Sequence, residues 1–490
     1  MVLNSSAQIL AQFGFYANPI ALADGRQLEV LELVRSIPNK RLVCRAVCNQ
    51  QTVYAKIFIG KDAQKYAARD QHGVGLLQQA GIATPALINA DKLATQSGAV
   101  LLFAEVPDCE NAEQAYAAMT EKARFNLVKL LVMEVAKHHN AGLLQTDLYL
   151  KNFLVKNDKI YTLDGDGIRK FSPLSKQKAL ENLSVLLSKF DVLALENGLP
   201  DLLKTYAQTR SWHKVPDAYW LQHLTQAHRR QVASNYADKK VFRNCTDVKI
   251  HALRGLLYAA SSLYENILLP TNIAELDAAF TPQTIIKNGN TCTVAITQIG
   301  DLKIVIKRYN IKSFWHGVSR ALRQTRAAAS WANAHRLGLL GIATAKPIAL
   351  IETRSLGLRG KAYFLAEYID APDAAEFFNN TNNKGHRAAA IKNIATLFYK
   401  LYLLQISHGD MKATNIKLQN NKPVLIDLDS MRQHSQATPA LQAHVRDLRR
   451  FMQNWQSDAS LYNAFMKAFV TIYKDQTPLK MAQILENISS

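Results

Sequence analysis

Cysteine is scarce and scattered in this 490-residue chain: Cys44, Cys48, Cys109, Cys245 and Cys292 are odd in number and form no C-x-x-C pair. That argues against a zinc cage and a disulfide framework and makes a reducing compartment the simplest home. Cys44 and Cys48, four apart on a strand, share one face and are read as packing residues. No run approaches the roughly 18 consecutive apolar residues of a membrane span. The opening MVLNSSAQILAQFGFY has no basic segment ahead of its apolar stretch, and its first charged side chain is Asp24, so no signal peptide is expected. Acid is the minority charge: 39 Asp and Glu stand against 59 Lys and Arg, a formal net charge of +20. The surplus favours polyanionic partners, whether nucleic acid, an acidic membrane face or a phosphate-rich substrate. Apolar residues, at 48%, suffice for globular cores. The length suits about two to four domains of roughly 100–200 residues.

The chain repeats itself. GIATP at 81–85 returns as GIATA at 341–345, and FAEV at 103–106 as LAEY at 365–368. QTDLYLKN at 145–152 returns as HGDMKATN at 408–415, and TLDGDG at 162–167 as LIDLDS at 425–430. Counterparts stay a nearly constant distance apart, 260 for Gly81 and Gly341 and 263 for Asp147 and Asp410. A period this long is two copies of a whole domain rather than a solenoid. We place them at 1–265 and 270–490, with the joint at ENILLPTN (265–272), where a proline and polar residues interrupt the pattern. TVYAKIFI (52–59) and LKIVIKRY (302–309) read as strands, with Lys56 and Lys307 lying inside the runs. RFNLVKLLVMEVAKHH (124–139) and RAAAIKNIATLFYKLYLL (387–404) read as helices.

In each copy a strand lysine is followed by Asp-x4-Asn and then by an aspartate ending a short strand. The second copy has Lys307, Asp410, Asn415 and Asp427; the first has Lys56, Asp147, Asn152 and Asp164. Phosphoryl transfer from ATP asks for these groups. A cation holds the phosphates, an aspartate takes the acceptor proton, and an asparagine with a second aspartate holds Mg²⁺. Lys412, two after Asp410, is placed to neutralise charge on the transferring phosphate. His408 reads as a brace of the catalytic loop. Asp447 reads equally as a brace from a helix below or as a solvated ion-pair residue. Asp429 is a helper or a structural group. KNGNTCTV (287–294) is a candidate phosphate-covering loop with the single glycine Gly289.

HGDMKATN with LIDLDS, the strand KIVIKRYN, and W-x-N-A-H-R-L-x-x-L-G-I-A-T at 331–344 resemble the Kdo/WaaP lipopolysaccharide kinase family, including its InaA-like members. QTDLYLKN and YTLDGDGI resemble it in a more divergent form. The resemblance implies an α+β chain of two tandem protein-kinase-like bilobal domains, each with an antiparallel-sheet N-lobe and a helical C-lobe. It also implies ATP and Mg²⁺ as cofactors and a heptose or Kdo hydroxyl of lipopolysaccharide inner core as acceptor. Asp410, Lys412 and Asp147 are then catalytic candidates, and Asn415, Asp427, Asn152 and Asp164 metal ligands. Lys307, Gly289, Glu367, Lys56 and Glu105 are the nucleotide-binding candidates. The expected location is cytoplasmic, with peripheral contact on the inner face of the inner membrane.

The first copy departs from the pattern. Gln145 stands where the second copy has His408, Tyr149 where it has Lys412, and 37–51 has no glycine. It is left open as an active or degenerate kinase. Asp70 stands where a helix acid would pair with Lys56, whereas the matching position of the second copy is Ser330. The basic clusters 307–326 and 229–243 read as solvated helix faces or as patches for an anionic membrane or lipid-linked substrate. No RNA-binding motif accompanies them, so no nucleic-acid partner is expected. The competing readings are a protein Ser/Thr or other small-alcohol kinase and a tandem pseudokinase scaffold for envelope biogenesis.

Overall fold

The computed structural model describes residues 10, 13–15, 19–37, 39–94, 97–253, 255–264, 273–309, 324–355, 358–381 and 383–485. The proposed joint at 265–272 lies outside them, as does the basic cluster at 307–326 apart from 307–309 and 324–326. The chain is mixed α and β, with antiparallel sheets, and divides into two compact units, Met1–His228 and Arg229–Ser490. The division falls inside a helix and earlier in the sequence than the repeat suggests.

The first unit opens with β1 (Ile20–Ala21), β2 (Gln27–Ile37), β3 (Arg41–Cys48) and β4 (Gln51–Ile59). Helix α1 (Ala63–Gln79) follows, then β5 (Leu87–Lys92) and β6 (Gly98–Ala104). They form an antiparallel sheet in the order β1-β2-β3-β4-β6-β5. The period-two pattern of β3 buries Leu42, Cys44, Ala46 and Cys48 on one face and leaves Arg41, Val43 and Arg45 on the other. Asn49 and Gln50, both at positive φ (50° and 62°), make the two-residue turn into β4. Phe58, Ala67, Val74 and Leu101 pack α1 against the sheet.

Next come β7 (Glu110–Asn111), α2 (Ala112–Ala118), α3 (Glu121–Asn140), β8 (Leu143–Gln145), β9 (Phe153–Lys156), β10 (Lys159–Thr162) and β11 (Ile168–Lys170). Helices α4 (Lys176–Leu187) and α5 (Val192–Thr209) complete a largely helical lower part. Its core gathers Leu131, Val135, Phe153, Leu183, Leu202 and Tyr206. Asp191 caps α5, accepting from the amides of Leu193 and Ala194.

Helix α6 (Ala218–Asp238) carries the chain across the division. The second unit then has β12 (Val248–Leu253), β13 (Leu256–Ser261), α7 (Ile273–Ala278), β14 (Ile285–Asn288), β15 (Cys292–Ile299) and β16 (Leu302–Tyr309). Helix α8 (Arg326–Leu339), β17 (Pro347–Ser355) and β18 (Leu358–Glu367) follow. These seven strands form one sheet in the order β12-β13-β17-β18-β16-β15-β14. The stretch β14-β15-β16-β18-β17 has the same order as β2-β3-β4-β6-β5 of the first unit. The strands β12 and β13, which the repeat assigned to the first copy, are hydrogen-bonded into this second sheet through β13 and β17.

The lower part of the second unit comprises α9 (Ala374–Asn380), α10 (Lys384–Leu403), β19 (Ile406–Ser407), β20 (Ile416–Gln419), β21 (Lys422–Leu425) and β22 (Arg432–Gln433), then α11 (Ala437–Met452), α12 (Ala459–Ile472) and α13 (Thr477–Met481). Between α10, α11 and α12, Phe398 meets Phe469 and Phe451 meets Phe465 edge to face, while the Phe398–Phe451 and Phe465–Phe469 rings are tilted, and the four pack these helices together. The basic segment 229–243 is partly committed to packing. Arg229 and Val241 are buried, Asp238 pairs with Arg336, and the Val241 carbonyl accepts from the Trp331 indole (3.0 Å).

Candidate active site

In the second unit, β16 buries Ile304 and Ile306 on one face, so Val305 and Lys307 point the other way, into a cavity of about 560 Å³. Lys412, Asn415, Asp427, Gly289 and Glu367 line the same cavity. Lys307 Nζ lies 2.9 Å from Asp427 Oδ1. Burial alone would raise the Asp427 pKa, but the Lys307 ammonium outweighs it and holds the carboxyl below its usual range. Asp427 sits just beyond β21 in the left-handed region (φ 64°, ψ 59°), which aspartate tolerates better than most residues.

The Asp410 loop is held from three sides. The His408 amide donates to Asp447 Oδ2 (2.6 Å) and the Gly409 amide to Oδ1 (3.0 Å). Asp447 lies in α11 with 3% exposure. Its pKa is pushed up by burial, which the two amides only partly offset. The His408 ring donates through Nε2 to the Ile426 carbonyl (3.0 Å), next to Asp427. Gly409 has φ +82°, and a Cβ there would crowd the Ser430 carbonyl. The Asn415 amide nitrogen donates to the Asp410 carbonyl (2.8 Å) and to its Oδ2 (3.3 Å). Lys412 Nζ lies 3.1 Å from Asp410 Oδ2, and Arg450 Nε lies 3.7 Å from Oδ1. The loop thus presents an aspartate between two cations, with an asparagine tied to it.

Residues 281–473 match the family described as Lipopolysaccharide kinase (Kdo/WaaP) family. That stretch is similar to this family. The similarity indicates a kinase, and the matched stretch contains Lys307, Asp410, Lys412, Asn415 and Asp427. A comparison with curated proteins gave no match. The first unit lies outside the matched residues.

Within the matched segment, two of the nucleotide candidates are occupied by their surroundings. The Glu367 carboxylate accepts from the Tyr264 hydroxyl and lies 3.8 Å from Lys346 Nζ. The Gly289 amide donates to the Cys292 carbonyl (3.1 Å). The sequence reading missed Arg326. It pairs with Asp429 (2.6 Å), whose side chain is 5% exposed, and so anchors the start of α8 to the turn after Asp427. Ser330, lacking a carboxylate, bonds to the Tyr309 hydroxyl instead (3.0 Å).

The first unit assembles the same positions differently. Lys56 Nζ lies 2.8 Å from Asp70 Oδ2, the helix pairing expected from the sequence, and 3.3 Å from Asp164 Oδ1. Arg41 Nη1 lies 3.5 Å from that same Oδ1. Burial alone would raise the Asp164 pKa, but Lys56 and then Arg41 hold it low. Asp70 is raised, by burial above all. Asp164, like Asp427, is left-handed (φ 69°). Asn152 donates to the Asp147 carbonyl (2.8 Å), as Asn415 does to Asp410. Gln145 bonds to the Leu163 carbonyl (3.2 Å), much as His408 bonds to Ile426. Tyr149, in the place of Lys412, has Lys189 and Lys151 over its ring at 4.5 and 5.2 Å. Glu105 is not aimed at Lys56: it pairs with Arg45 on β3 (2.7 Å).

Among the described residues no group of three or more His, Cys, Asp or Glu side chains is placed to hold a metal ion, and no helix is long and apolar enough to cross a membrane.

Proposed function

We propose that the second unit is an ATP- and Mg²⁺-dependent kinase acting on a heptose or Kdo hydroxyl of lipopolysaccharide inner core. The chain would then be two tandem bilobal kinase-like units, with the first a divergent copy. The observation that carries this reading is the family match over residues 281–473, together with a single cavity lined by Lys307, Lys412, Asn415 and Asp427.

The residues fit Mg²⁺ as kinases hold it. The Asp427 carboxylate and the Asn415 amide oxygen are hard oxygen donors, and such sites take one or two protein ligands with the phosphates completing the shell. The ion, when bound, supplies charge neutralisation over the phosphates. Lys307 leaves or shares Asp427 to clamp the ATP phosphates. Asp410 accepts the proton of the sugar hydroxyl as its oxygen attacks the γ-phosphorus and the bond to the β-phosphate oxygen breaks. Lys412 meets the charge on the transferring group. In the first unit Asp147, Asn152 and Asp164 hold the equivalent places. The net charge of +20 suits an anionic, lipid-linked acceptor and peripheral contact with the inner membrane.

The test follows the γ-phosphate of ATP onto dephosphorylated lipopolysaccharide core, with Mg²⁺, for wild type and Asp410→Asn. Removing a general base costs about 10²–10⁴ in rate. Transfer by wild type that survives Asp410→Asn undiminished would defeat the mechanism. Transfer only to a protein or another small alcohol would defeat the acceptor.

A further inference from the structure

The sheet registers put the two units in correspondence residue by residue. Val43 of β3 faces Lys56 on one neighbour and Arg35 on the other. Val294 of β15 faces Lys307 and Lys287 in the same way. Two residues before these valines, on the same strand face, stand Arg41 in the first unit and Cys292 in the second. The difference falls at the metal position. Asp427 Oδ1 has the Lys307 ammonium, and Cys292 lines the cavity beside it. Asp164 Oδ1 has two cations, Lys56 at 3.3 Å and Arg41 at 3.5 Å. The Arg41 and Asp164 side chains are 14% and 15% exposed, so bulk solvent screens this pairing little.

The donor set of the first unit therefore does not fit Mg²⁺. A divalent ion on Asp164 would sit against two positive charges already in contact with the carboxylate. The base-binding side differs too. Ile296 and Val305, which line the cavity of the second unit, correspond to Arg45 and Tyr54. Arg45 is ion-paired to Glu105 at 2.7 Å, so a charged pair replaces an apolar wall.

We propose that Arg41 takes the place of the divalent cation at Asp164, making the first unit a metal-independent polyphosphate-binding unit rather than a second kinase. Lys56 and Arg41 bind the phosphate oxygens directly, exchanging their bonds to Asp164 for bonds to the ligand. The comparison rests on reading the second unit as an Mg-ATP site, so the experiment has one arm for each unit.

The first arm titrates inorganic tripolyphosphate calorimetrically into full-length protein in EDTA. The Lys307→Met background removes the competing lysine of the second unit. Binding there, weakened at least tenfold by Arg41→Met and recovered by Arg41→Lys, is the expected result. No binding, or binding indifferent to Arg41→Met, overturns the proposal. The second arm counts Mn²⁺ by electron paramagnetic resonance with a non-hydrolysable ATP analogue. One ion per chain, lost in Asp427→Asn and kept in Asp164→Asn, is expected. An ion lost in Asp164→Asn overturns the proposal. If wild type binds no Mn²⁺ at all, the reading of the second unit fails, while the EDTA arm still decides the first.

Discussion

Asp447→Asn should uncouple the catalytic loop of the second unit from the helix that supports it. The aspartate accepts two backbone amides, His408 N–H at 2.6 Å and Gly409 N–H at 3.0 Å, and is almost fully buried. An asparagine has one carbonyl oxygen to offer. The second amide then faces an NH₂ group, a donor against a donor, away from water. Leaving one buried donor unsatisfied costs about 1–3 kcal/mol. Losing the charge from the remaining bond adds roughly 1 kcal/mol. Asp447→Ala orphans both amides, so about 2–6 kcal/mol is expected. The loop carries Asp410 one residue after Gly409, so part of this cost should appear as displacement of the base. At 1.36 kcal/mol per tenfold in rate, a tenfold or larger fall in kcat is expected for Asn. The KM for ATP should change less, because Lys307 and Asp427 are carried by other strands. The assay pairs phosphate-transfer kinetics with thermal denaturation. An Asp447→Asn protein with parental kcat and parental melting would refute the claim that this carboxylate holds the loop.

Three further outcomes are expected. Arg326→Gln leaves the buried Asp429 carboxylate without its ion pair; breaking a buried pair costs about 3–5 kcal/mol, with the lower end expected because Arg326 is partly exposed. Calorimetry should show a lower melting temperature and kinetics a higher KM for ATP, and an unchanged melting curve would contradict the anchor. Gly73→Ala places a methyl against the Gly165 carbonyl where α1 crosses the turn after Asp164; overpacking of about 1–3 kcal/mol should show in denaturant unfolding, and a parental midpoint would contradict the close approach. Burial depresses His138 and His444 to about 3, and His139 and His335 to about 4. Unfolded histidine protonates near pH 6.5 while these stay neutral, so their contribution is fully present above that pH. It is lost progressively as pH falls toward the folded values, by about 1.4 kcal/mol per histidine at pH 5.5. Stability measured by denaturant from pH 7.5 to 5.5 should fall steeply, and less so in His444→Gln; a flat profile would show that the rings are protonated when folded.

The local parts of the site were legible because spacing alone sets them. Asp-x4-Asn puts an amide within reach of the aspartate's own carbonyl, and both Asn415 and Asn152 make that bond. A strand side chain points to the face opposite its immediate neighbours, as Lys56 does between the buried Ala55 and Ile57 and Lys307 beside the buried Ile306. The Asp70 pairing was legible because an acid on the helix after the lysine strand is where such a lysine finds a partner, and the repeat then supplied the ruler that led to Ser330 in the second copy. Arg41 was not. Its meaning depends on which strand it faces and on a carboxylate 123 positions away, and an arginine at a strand end is otherwise unremarkable in sequence. The pairing of β13 was not legible for a similar reason. Nothing local in 248–261 says that β13 will pair with β17 rather than with the sheet before it. The N-terminal loops carried little signal in either copy, since glycine, the residue that marks a phosphate loop, is nearly missing from both.

The helix beside each site shows why such features escape a motif. In each unit the turn after the left-handed aspartate must be fastened to the helix that follows the strand lysine, or the lysine and the aspartate would not hold a common geometry. The first unit fastens it with Asp70, which takes the Lys56 ammonium on one oxygen and the Gly165 amide on the other (3.0 Å), and with Gly73, small enough to let the turn approach. The second has Ser330 in place of Asp70 and Asn333 in place of Gly73. There the Asn333 amide donates to the Leu428 and Met431 carbonyls (2.9 and 3.0 Å), and Arg326 reaches Asp429 from the start of the helix. One unit uses a carboxylate that also engages the lysine; the other spreads the task over an amide and a guanidinium that do not. Lys307 is thereby left with a single carboxylate, Asp427, among the ion pairs described, while Lys56 is shared between two. A lysine held by one partner exchanges it for a phosphate more readily than one held by two. On that ground the turnover proposed above suits the second unit, and the polyphosphate binding proposed for the first has to displace a more firmly held lysine.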